Sequence, residues 1–198
     1  MKKILILLLI LTTGITVFTG CGGSTSKSKV VTFISVTDGN VFSSGLINDN
    51  GTEMGVGDNA VNAALQALLS FNLDLPANAQ INSATLRLYN CDFPGTLFPS
   101  NILVEHLQTD FETIDPTDFA DPAGLTSCGQ FTTLVIGGWN ELNVTASVQE
   151  DQTVMRGKSQ FRLYRIPLTD NDGQWDNNSF YTSENETKQP ELIVTYTI

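Results

Sequence analysis

The chain has 198 residues, with 21 Asp and Glu against 10 Lys and Arg and a formal net charge of −11. So acidic a surface repels phosphate backbones, which sets nucleic acid aside as a partner. The length suits one domain able to bury a real core.

In chain order, the first element is "MKKILILLLILTTGITVFTGC". Two lysines, an uncharged apolar run and small residues ahead of Cys21 make a secretory signal, to be set apart from the fold. The run from Ile4 to Phe18 is shorter than the roughly 20 residues a membrane-spanning helix needs. Phe18-Thr19-Gly20-Cys21 resembles the lipobox of bacterial lipoproteins, with Phe18 where leucine is usual. That resemblance implies cleavage before Cys21 and diacylglycerol on its sulfur. The protein would then be exported and lipid-anchored to the cell envelope, periplasmic or facing outward. The alternative is an ordinary secretion signal in which Cys21 is incidental. The expected organisation is a signal over 1–20, a Gly/Ser-rich flexible tether over 21–29, and a single domain over 30–198.

Beyond the tether, short runs rich in Val, Ile, Thr, Phe and Tyr predict strands at 30–36, 67–75, 83–90, 101–107, 131–137, 139–145, 160–166, 178–184 and 191–197. The clearest is "LSFNLDLPANAQINSATLRLYN", residues 69–90, where leucines alternate with polar residues on either side of a Pro76 turn. A period of two marks a strand with one buried and one wet face. Turn clusters stand at 38–40, 93–96 and 170–173. "TASVQEDQTVM" (145–155) predicts one or two helical turns, with Thr145 or Ser147 as a cap. "DPTDFADPAG" (115–124) reads as loop with a helical turn at most. Many short strands between regular turns make an all-β sandwich or barrel. Cys91 and Cys128 lie at strand ends or in loops. In an oxidising compartment such a pair is a candidate disulfide, and the alternative is two buried thiols.

Several of these stretches resemble one family. "LLSFNLDLPANAQINSATLRLYN" is similar to the signature of DNRLRE, or disaggregatase-related, modules. "GGWNELNVTASVQ" resembles the family's Trp followed by a D-V-T strand, with Asn143 where Asp is common. "QFRLYRIPLTDNDGQWDNNSFYTSENETKQPELIVTY" resembles its closing strands. The resemblance implies a jelly-roll sandwich of two antiparallel sheets, in a surface protein that acts as a carbohydrate-binding module toward polysaccharide.

The loop "TDNDGQWDN" is the sharpest chemical feature. Asp170, Asp172 and Asp176 surround Gly173, and Ca²⁺ takes six to eight hard oxygen ligands of this kind. A polar hairpin built from turn-forming Asp and Asn is the plainer reading. Sugar rings stack on exposed aromatics, so Trp175, Tyr181, Tyr89 and Tyr164 are candidate ligand-binding residues, with Arg87 and Arg162 on the same polar strand faces. If those strands share a sheet, the face would suit a carboxylated glycan. Cross-strand pairing that only stabilises the sheet is the alternative. His106 in a strand reads as a structural residue, and no nucleophile elbow, zinc-spaced His/Cys set or phosphate loop is present. The expectation is a non-catalytic polysaccharide-binding lipoprotein. Its alternatives are a structural or adhesive envelope protein and, behind that, a lyase or hydrolase.

Overall fold

The structure is a computed structural model that describes residues 27–91 and 101–198. The signal, Cys21, most of the tether and the expected turn at 93–96 lie outside them. Strands run at β1 Lys29–Ile34, β2 Thr37–Phe42, β3 Ile47–Asn48, β4 Glu53–Asp58, β5 Ala64–Asn72, β6 Gln80–Tyr89, β7 Ile102–Leu107, β8 Ala123–Phe131, β9 Trp139–Asn143, β10 Lys158–Tyr164, β11 Asp176–Tyr181 and β12 Glu191–Thr197. One α-helix, α1, covers Thr145–Thr153, and a 3-10 turn covers Pro116–Ala120.

The smaller sheet is ordered β1-β12-β6-β9. The larger runs β11-β4-β5-β10-β7-β8, with β2 also on β5 and β3 on β2. Every ladder is antiparallel. The result is the all-β sandwich of two antiparallel sheets that the alternation demanded.

Its core follows from the period of two. On β6, Ile81, Ala84, Leu86 and Leu88 point inward, and Leu192 and Val194 join them from β12. Ala67, Leu69 and Phe71 of β5 and Phe161 and Leu163 of β10 face them from the larger sheet. The rings of Phe71 and Phe161 meet edge to face at 6.2 Å. Each such side chain contributes about 1.5–3 kcal/mol when fully buried.

The outer face of β5 is not wet as the alternation predicted. Gln66, Leu68 and Ser70 are all buried. The segment between β7 and β8 lies over Leu68 and Ser70 as a strap. Its Phe111 and Ile114 pack with Val41, Leu68 and Leu107 into a second core that Phe119 flanks. Some polar groups under the strap are paired. Gln160 Nε2 donates to Ser70 Oγ at 3.1 Å and to the Phe111 carbonyl at 2.8 Å.

Other boundaries differ for local reasons. The turn expected at 38–40 is the middle of β2, where Asp38 accepts the Ser183 N–H through both carboxylate oxygens at 3.1 Å. The strand expected at 131–137 ends at Phe131, because β8 forms from the preceding residues against β7. Neither Thr145 nor Ser147 caps α1. Its N-cap is Val144, and Thr145 Oγ1 instead accepts the Ala84 N–H at 2.9 Å. No disulfide joins Cys91 to Cys128. The two belong to different elements: the Cys128 sulfur sits 3.1 Å from Ser147 Oγ on α1, and the Cys91 N–H bonds the Ser179 carbonyl of β11.

Candidate functional site

A cleft opens between the β2–β3 pair and the β4–β11 pair. β2 pairs with β5 along its whole length, while β4 meets β5 only at Gly57↔Leu65 and Asp58↔Ala64. Asn40 brackets β2 to β4 across this opening. Its amide donates to the carbonyls of Gly55 at 2.6 Å and Gln66 at 3.1 Å, and its oxygen accepts the Gly55 N–H at 2.8 Å. The space beside this bracket measures about 230 Å³ and is lined by Phe42, Asn48, Glu53, Asn177, Ser179 and Trp175, among others. Trp175 is 54% exposed at the rim. A ring above amide, hydroxyl and carboxylate groups is a surface on which a sugar's apolar face can stack while its hydroxyls are bonded.

Trp175 is carried by the acidic loop, which is built from local turns. Asp170 accepts the Asp172 N–H at 3.1 Å, and Asp172 accepts the Gln174 N–H at 2.7 Å. Asn62 Oδ1 secures the loop from outside by accepting the Gly173 N–H at 3.0 Å. Asn171 holds a left-handed φ of 63°, which asparagine tolerates better than most residues.

At the base of this loop three carboxylates converge. Asp58, Asp170 and Asp176 each offer an oxygen within 4.8 Å of the others. Asp58 and Asp176 face each other across the β4–β11 ladder. The neighbouring Gly57 permits that approach, since a Cβ there would strike the Asp176 carbonyl. Ionised carboxylates this close repel by about 3–4 kcal/mol per pair at an effective dielectric near 20. Asp170 is held above the ordinary carboxylate range, first by loss of water and then by the charges of Asp172, Asp58 and Asp176. Asp172, which the sequence placed beside Asp170 and Asp176, lies outside this group and accepts the Gln174 N–H of the turn. Asp58 is the third member of the group.

The remaining aromatic candidates lie elsewhere. Tyr89 and Tyr181 stack at 5.8 Å, and Trp139 meets Tyr89 edge-on at 5.4 Å. Arg87 lies 4.1 Å over Trp139 and pairs with Glu191 at 2.9 Å and Glu141 at 3.2 Å. Lys188 covers Tyr89 at 4.1 Å. These rings and cations are engaged with one another, as cross-strand pairing predicts. Arg162 and Tyr164 belong to the larger sheet, so no single sheet gathers the four residues. Arg162 is buried beneath the strap, where it pairs with Glu105 at 2.5 Å and donates to the Asp121 carbonyl at 2.9 Å. Tyr164 is pushed up to about 12 by burial and by its hydrogen bond to Glu105. His106 is fully buried, with Nε2 2.9 Å from Asp151 Oδ2, in keeping with a structural role.

The sequence profile of carbohydrate-binding module family 96 matches residues 29–196. The chain belongs to this family. No curated protein matches the chain. Membership of family 96 makes carbohydrate the ligand class and agrees with a binding module in place of a catalyst. Of the residues lining the cleft of this family 96 domain, the sequence singled out Trp175 and gave no sign of Asn40, Asn48 or Glu53, nor of Asp58 among the converging carboxylates. All four sit in or beside "DGN", "IN" and "EMGVGD", short runs without strand alternation that gave no signal of pairing.

Proposed function

We propose that this module binds a neutral polysaccharide in the cleft beneath Trp175 without turning it over. We place it outside the cell, held to the envelope by lipid on Cys21. The observation that carries the reading is the 54% exposure of Trp175 at the rim of a polar cleft. A neutral glycan is favoured over a carboxylated one on charge. Among the described residues the cleft contributes Glu53 and no cation, Arg87 and Arg162 are already paired with carboxylates, and the chain carries −11 overall. Titrating the domain against neutral and uronate-rich polysaccharides, by affinity electrophoresis and calorimetry, tests this. Binding to at least one neutral polymer is expected. Retention by uronates alone would overturn the charge argument, and silence across the whole panel would overturn the site. Cleavage of lipid from Cys21, read by mass spectrometry of membrane-extracted protein, tests the anchor.

A further inference from the structure

We propose that Asp58, Asp170 and Asp176 form a binding site for a divalent cation of the calcium class, which fastens the Trp175 loop to the β4–β11 ladder. The three carboxylates alone would not carry this. The second observation is that two of them are buried with an oxygen that has no hydrogen-bond partner. Asp58 is 0% exposed and Asp176 is 7% exposed, and Oδ1 of each lacks a partner. Asp58 Oδ2 is spoken for by the Asp170 N–H at 3.3 Å, so Oδ1 is the atom left over. Buried polar atoms are rarely left in this state, and each calls for an explanation such as an ion.

Donor type and spacing select the ion. Every donor is a hard carboxylate oxygen, which suits calcium or magnesium and not the thiolate- and imidazole-seeking metals. Oxygens bound to one Ca²⁺ at 2.3–2.6 Å lie up to about 5 Å apart, while Mg²⁺ holds its ligands within about 4.2 Å. The three oxygens all lie within 4.8 Å of one another, inside the Ca²⁺ span, and a set of three carboxylates suits Ca²⁺ better than Mg²⁺, which usually keeps several waters and takes one or two carboxylates. Two donors come from strands already in register, at the pair Asp58↔Asp176, and the third from the loop. An ion there joins elements distant in the chain and fixes the residue next to Trp175. Water and loop carbonyls would fill the remaining positions of a six- to eight-ligand shell.

The proposal stands whether or not a glycan binds the cleft, and its test uses the metal alone. Chelator-treated protein is titrated with CaCl₂ by calorimetry, with melting temperature and tryptophan emission followed in parallel. One Ca²⁺ per chain is expected, with Kd of roughly 10⁻⁴ to 10⁻³ M or tighter, as in extracellular modules, and with Mg²⁺ weaker. Asp58→Asn and Asp170→Asn should each weaken binding by about tenfold or more. Asp170 is exposed, so its variant tests the site even if Asp58→Asn fails to fold. Asp172→Asn should leave the affinity within about twofold, since Asp172 lies outside the group. The absence of heat and of any melting shift at about 10 mM CaCl₂ would overturn the site. So would an affinity that follows Asp172 and ignores Asp170.

Discussion

Replacing Trp175 with alanine removes the platform while leaving the cleft floor in place. Tryptophan presents about 250 Å² of side-chain surface. At 54% exposure, about 135 Å² of it faces solvent. A pyranose laid on one face covers roughly 70 Å² of that and gives up a similar area of its own, which at about 25 cal/mol per Å² amounts to roughly 3.5 kcal/mol. Ordering the ring and the sugar takes back about 0.5–1.5 kcal/mol. The net loss on truncation is therefore about 2–3 kcal/mol, or roughly 30- to 150-fold in Kd. Calorimetry against the best polymer from the panel measures it, with melting temperature as the check on folding. Trp175→Phe keeps a smaller ring and should fall between the two. An alanine variant that melts normally and binds within about twofold of the parent would refute the stacking argument, because no sugar could then rest on that ring.

Two further outcomes test the strap. Arg162→Met leaves Glu105 buried beside an apolar chain and frees the Asp121 carbonyl, so chemical denaturation should register a loss of about 3–5 kcal/mol. Adding Glu105→Leu should recover much of it, whereas a single variant costing under about 1 kcal/mol would mean the strap is not held this way. Tyr164 ionises at about 12 against an ordinary 10.0, so its neutral form is favoured in the fold. The stability it contributes is complete below pH 10 and is lost as pH climbs toward 12. Ultraviolet titration should show a late tyrosine transition that Tyr164→Phe abolishes, and its survival in that variant would reassign it.

The parts of the fold legible in the sequence are those where one face meets the core and the other meets water or a neighbouring sheet strand. The strand expected at 191–197 is β12 residue for residue, and β6 buries its leucines and presents Arg87 and Tyr89 as the alternation requires. The outer face of β5 was misread because its cover comes from the segment around Phe111 and Ile114, far along the chain, which local periodicity does not report. The sequence "EMGVGD" of β4 looks unlike a strand because Gly57 is needed where the backbone meets Asp176 closely, and glycine weakens the propensity that would have revealed it. The acidic group was half visible. Asp170 and Asp176 share a loop, but Asp58 stands 112 residues from Asp170 and joins only through strand pairing. Aromatic residues were legible as exposed or strand-borne, though not which of them stack on each other and which face outward alone.

The Asn40 bracket has a consequence for how a ligand is received. One buried amide holds the backbones of β4 and β5 at fixed distances from its own strand, so the cleft wall is rigid before anything arrives. If the cleft takes a glycan as proposed, the side chains that become ordered are the indole and the exposed Asn48 and Glu53, while the backbone beneath them is already tied. Recognition of this preorganised kind favours a polymer whose repeating shape already matches the groove over a flexible chain that would have to be moulded to it.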